Sequence, residues 1–133
     1  MSPGPDATVL PVPRTDDPDS AEFWAGAAQG RLMVALGIDG TPVHPPRASG
    51  ANTPVRWVEA AGTAVLHTWT VVRHTVDPAF PAPYTVVLVA LTDHPQVRFA
   101  GHLPGTLELR PGAPMRVRFE DRDGVAVPQW TLL

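Results

Sequence analysis

The sequence predicts a mainly β chain: one N-terminal helix, a hairpin-like segment, then a small barrel of five strands. Three observations carry this. Seventeen prolines in 133 residues disfavour long helices and favour turns and extended chain. From residue 64 onward apolar residues recur with a period of two or run unbroken for the length of a strand. A single segment, beginning at Asp17, has helical spacing with a start and a stop signal. At this length one domain with a single modest core is expected.

Residues 1–15 are proline-rich and polar and read as an extended or disordered arm. The helix is assigned to 16–31. Asp17 serves as N-cap, Pro18 suits the first helical position, and Asp19 and Glu22 lie at the positive end of the helix dipole. Phe23, Trp24, Ala27 and Ala28 recur on one face, and Gly30 ends it. Phe23 and Trp24 anchor this helix either to the chain's own barrel or to a partner surface.

Residues 32–57 have the frame of a zinc ribbon with no ligands, because the chain contains no cysteine. A ribbon needs four ligands converging on tetrahedral zinc. The positions where its knuckles would fall are Leu36, Asp39, Gly50 and Thr53, and none supplies a thiolate. Gly40, Pro45-Pro46-Arg47 and Trp57 remain as the frame. Asp39 and His44 alone do not make a structural zinc site, so this is a degenerate, metal-free segment, expected to persist as a loop or hairpin packed on the barrel. Prolines 42, 45, 46 and 54 help it by restricting the unfolded chain.

Residues 58–133 form the barrel. Strands are expected at 64–73, 84–91, 96–103, 115–120 and 125–131, with one long connection at 74–83. Met115, Val117 and Phe119 alternate with Arg116, Arg118 and Glu120, and Asp123-Gly124 makes the last turn. This pattern suits a partly open barrel of the OB type. The run 84–91 has no polar face, so both of its sides should be covered, one by the core and the other by the helix, the ribbon or another subunit.

Composition removes several functions. A formal charge of −3 and a pI near 5.9 argue against nucleic acid, whose phosphates need a basic face. No apolar stretch approaches the ~20 residues of a membrane span, and the first residues lack a secretory signal pattern, so a cytoplasmic location is expected. All ten cations are arginine, which excludes a lysine Schiff base, and a thiol nucleophile is absent. Ser2, Ser20 and Ser49 lie in no nucleophile elbow. Catalysis by this chain alone would therefore be acid–base work without a covalent nucleophile.

The order of parts resembles the DUF35 family. The matching residues are Asp19, Phe23 and Trp24; Gly30-Arg31-Leu32; Gly40, Pro45-Pro46-Arg47 and Trp57; and Gly62-Thr63-Ala64-Val65 with Thr68-Trp69-Thr70-Val71-Val72. Phe80, Pro83-Tyr84, Pro111-Gly112 and Val117-Arg118-Phe119-Glu120 complete the set. The resemblance implies an OB-fold protein with a rubredoxin-like ribbon, here lacking all four ribbon cysteines. It implies an accessory subunit beside a thiolase-like, lipid-transfer-like or MaoC-type enzyme. Such a subunit helps bind acyl-CoA or a carrier-bound acyl chain in lipid, steroid or polyketide metabolism. It would work as a hetero-oligomer, or alternatively a homo-oligomer, with no cofactor of its own.

Candidate residues follow from chemistry and position. His74 and Asp77 stand on the long loop leading to Phe80 and Tyr84, where a histidine near a carboxylate suits general-base work. His67 shares a strand face with Val65, Trp69 and Val71, so it is either a satisfied core histidine or a pocket wall. His102 and Arg98 share an outward face, with Arg116 and Arg118 as possible neighbours; such arginines suit CoA phosphates or form an ordinary solvated face. The candidate acid–base set is His74, Asp77, Tyr84, His67 and His102. Arg73, Arg98, Trp69 and Phe80 are the candidate ligand contacts. Three functions remain: the accessory acyl-thioester subunit, a self-sufficient dehydratase, cyclase or isomerase, and, less favoured, a non-catalytic ligand-binding module.

Overall fold

Period-two patterning becomes a five-stranded antiparallel sheet that curls on itself. The computed structural model describes residues 10–50 and 53–133; residues 1–9, most of the expected N-terminal arm, lie outside them. The helix α1 (Ala21–Ala27) is followed by β1 (Met33–Leu36) and β2 (Arg56–Glu59). Then come β3 (Thr63–Val72), β4 (Tyr84–Leu91), β5 (Arg98–Pro104), β6 (Pro114–Arg122) and β7 (Val125–Leu132). β1 and β2 form a separate antiparallel pair, while the large sheet runs β5-β4-β3-β6-β7. β5 and β7 then meet, and the backbone N–H of His102 donates to Gln129 Oε1 at 2.9 Å across that seam. A side chain, with no backbone ladder, closes the barrel there, which is the partly open OB arrangement.

The core sits where the inward residues of the strands converge. Leu66, Val87, Val89, Leu91, Met115 and Trp130 are fully buried. Trp130 fits because Gly101 opposes it: a Cβ at Gly101 would lie 2.9 Å from Trp130 Cδ1 and 3.2 Å from Val87 Cγ2. Phe119 and Val117 pack at the margin, as their alternation predicts.

Three expectations are corrected in detail. Asp17 does not cap the helix. Its carbonyl accepts from Ser20 and Ala21 N–H and its carboxylate from Asp19 N–H, so it makes a preceding turn, and Ser20 is the N-cap residue. The end is as expected: Gly30, at φ 73°, adopts the left-handed conformation while Arg31 N–H donates to Gly26 and Gly30 N–H to Ala27. His67 does not share a face with Trp69 and Val71, because a bulge between Leu66 and Thr68 shifts the register by one and leaves it exposed. The second side of β4 is not covered either. Tyr84, Val86, Leu88 and Ala90 stay half-buried, while α1 packs on β1 and β7.

Candidate functional site

β5 carries aromatic clusters on both of its faces. On the inner side Phe99 stacks with Phe23 of α1 (ring centroids 5.8 Å), faces Trp130 (6.2 Å), and meets His44 of the ribbon-like segment (4.8 Å). His44 also donates from Nε2 to the Arg98 carbonyl at 3.0 Å. Phe23 therefore anchors the helix to the chain's own barrel, with Trp24 edge-on to it at 5.0 Å and half-buried. The alternation of β5 points Phe99 inward, but nothing local shows that two distant segments converge on it.

On the outer side His102 packs against Tyr84 (4.8 Å) and Phe80 (5.3 Å), and those two rings lie 6.3 Å apart. The long connection reaches this point by folding on itself: Asp77 accepts from Phe80 and Ala79 N–H, and Thr75 Oγ1 accepts from Ala82 N–H. Burial pushes the His102 imidazole below the usual histidine range; Glu120 pulls it up and Arg122 pushes it further down. Those two form an ion pair in which Arg122 Nε donates to Glu120 Oε2 at 3.0 Å. Nε2 of His102 is enclosed and has no partner among the described residues. The sequence reading missed that the Glu120–Arg122 pair, two residues apart on β6, acts on His102, since only barrel closure brings the end of β6 toward β5.

The other candidates do not join this cluster. His74 and Asp77 are exposed, and the Asp77 carboxylate is engaged by Ala79, so no His–Asp pair forms. Arg98 and His102 do share a face of β5, but β6, with Arg116 and Arg118, is not a neighbour of β5, so the expected arginine cluster is absent. Arg73 is exposed at the end of β3. Trp69 is half-buried against the core and contributes to a shallow apolar depression of about 250 Å³ with Thr68, Thr70, Val86, Leu88 and Ala100.

A larger cleft, about 510 Å³, lies within the ribbon-like segment. Asp39, Gly50 and Thr53 line it, whereas Leu36 is buried in the core. Asp39 Oδ1 accepts from Thr41 N–H at 2.9 Å, and Thr53 Oγ1 donates to the Gly50 carbonyl at 2.8 Å. The hydrogen bonds from the Thr41 backbone and side chain hold the Asp39 carboxyl below its ordinary value. No group of three His, Asp or Glu side chains converges among the described residues. These residues do not fit a ribbon zinc, whose four ligand positions carry one carboxylate already committed to its own turn.

The fold and the seam define an OB-fold protein of the kind that carries a ribbon-like hairpin in front of its barrel. Residues 57–120 match the family model described as "ChsH2, C-terminal OB-fold domain". The structure is similar to a solved chain titled "Ltp2-ChsH2(DUF35) aldolase". The TM-score is 0.76 at 28% identity, over 90% of this chain and 98% of that one. The chain belongs to the DUF35 family of OB-fold proteins. It is also 33% identical over 120 residues to the "Probable enoyl-CoA hydratase alpha subunit" of Thermomonospora curvata, covering 83% of this chain. It spans 35% of the length of that relative.

Proposed function

We propose that the chain is an accessory subunit of an acyl-CoA-metabolising enzyme. It would dock on a thiolase-like, lipid-transfer-like or MaoC-type partner and help present acyl-CoA or a carrier-bound acyl chain in lipid, steroid or polyketide metabolism. A cytoplasmic location goes with that role, and no helix is long and apolar enough to cross a membrane among the described residues. The observation that carries this reading is the overlap with nearly the whole length of the DUF35 chain in the aldolase structure. The relative called a hydratase alpha subunit supports the same role.

The chain's own chemistry agrees. Of the five acid–base candidates only Tyr84 and His102 meet, and the enclosed Nε2 of His102 is withheld from a substrate. Those five candidates therefore assemble no acid–base pair for a self-sufficient dehydratase or isomerase. The test is co-expression with thiolase-like, lipid-transfer-like and hydratase proteins of the same organism. A stable complex whose turnover depends on this chain is expected. Separate elution from every one of them, or turnover by the isolated chain that His102→Gln abolishes, would overturn the reading.

A further inference from the structure

Only the first part of β3 has neighbours on both edges. Its pairing with β6 ends at Val65↔Pro114, whereas its pairing with β4 continues to Val72↔Tyr84. Backbone direction beyond that point follows from the alternation of an antiparallel ladder. The Gly62 carbonyl accepts from Val117 N–H, and Leu66 exchanges hydrogen bonds with Ala113 and Gly112, so even-numbered residues up to Leu66 face β6. The bulge inverts this. On β4 the alternation is unbroken, with Leu91 N–H bonded to Val97 and the Pro83 carbonyl accepting from Gly105, both away from β3. Ala90, Leu88, Val86 and Tyr84 therefore face β3, and their partners Thr68, Thr70 and Val72 face back.

Trp69 and Val71 consequently direct their N–H and C=O groups away from β4, where no strand pairs with them among the described residues. The connection from Thr106 to Leu109 makes no backbone hydrogen bond among the described residues, with Leu107 and Leu109 packed on the core, so it supplies no strand to this edge. The strand portion 68–72 carries neither a charge nor a proline, the devices that ordinarily protect an open edge. It also borders the apolar depression that Thr68, Thr70, Val86 and Leu88 line.

We propose that an extended segment of the partner enzyme adds as a strand to β3 at Trp69–Val71. Main-chain hydrogen bonds to these two residues supply the pairing, and alternate apolar side chains of the added segment cover the depression. This rests on the accessory-subunit reading and names the surface that reading requires. The occupant is a partner chain and not a second copy because the similar DUF35 chain belongs to an aldolase titled with two proteins, and a further relative is named an alpha subunit.

Amide exchange by NMR on the labelled chain tests it, alone and mixed with the hydratase or thiolase-like partner that co-expression identifies. In the free chain the Trp69 and Val71 amides exchange fast while Thr68, Thr70 and Val72 are protected. In the complex Trp69 and Val71 slow by about tenfold or more. Val71→Pro removes an edge donor without touching the β4 ladder, so it should weaken the complex about tenfold while Val71→Ala does not. A complex in which Trp69 and Val71 stay fast overturns strand addition and leaves the accessory role standing. Slow exchange of these amides in the dilute free chain overturns it too, and slowing with concentration alone assigns the edge to a second copy. Failure of any complex to form overturns the accessory role itself.

Discussion

Gly101 faces the Trp130 indole, and the methyl group of alanine there would sit inside the contact distance of the ring. Gly101→Ala should therefore cost about 1–3 kcal/mol through forced repacking, read from urea unfolding with an unchanged slope. His102 is governed by electrostatics. Its native value lies below the ordinary 6.5, so the folded state resists a proton that the unfolded chain accepts. Its stability contribution is complete above that ordinary value and is lost as pH falls below it. Phe80 and Tyr84 face the ring, with Glu120 and Arg122 as the nearby charges. Between about pH 8 and about pH 5 the melting temperature should fall more for the wild type than for His102→Gln, in which no imidazole titrates. An equal fall in both would remove His102 as the cause. Neither residue's role was visible in the sequence. His102 was read as one of an arginine-rich outward set, whereas its neighbours come from the long loop and from the far end of β6.

At the level of elements, the segment from Leu32 to Trp57 keeps its place without metal through contacts that a ribbon frame does not display. Ala48 N–H donates to the Asp19 carboxylate, His44 donates to the Arg98 carbonyl, and the rings of Phe23 and His44 both rest on Phe99. Phe99→Ala removes the common support of helix, ribbon and Trp130 and should destabilise by about 3 kcal/mol. Asp19→Ala breaks the exposed helix-to-ribbon link and should cost about 1 kcal/mol, with faster proteolytic nicking in the loop around Ala48 as the selective sign. Elemental analysis should find zinc far below one per chain, because Leu36, Gly50 and Thr53 offer no thiolate or imidazole. The strands were the most legible elements: the run 84–91 became β4 with the expected bounds, and alternation gave the inward sets of β5 and β6. The helix start was less legible, since an aspartate followed by proline is equally able to make a free-standing turn.

For the whole molecule, the outer face of β4 and the open edge of β3 lie side by side, half-covered, on a chain whose relatives are named as parts of larger enzymes. A partner of the proposed kind should therefore raise the melting temperature roughly with the logarithm of its concentration, measurable by scanning calorimetry of the mixture. No shift with any thiolase-like, lipid-transfer-like or hydratase protein of the same organism would contradict the docking role. By itself the sequence determined the mainly β class, the number and approximate bounds of the barrel strands, the lack of ribbon ligands and the family. These are properties of local periodicity and residue type, which survive in one dimension. Only the tertiary structure decided which face His67 takes, which rings surround His102, and where the backbone is left unpaired. A single inserted residue in β3 inverts every later side chain and every later hydrogen-bonding direction, and barrel closure joins residues that alternation alone keeps on separate strands.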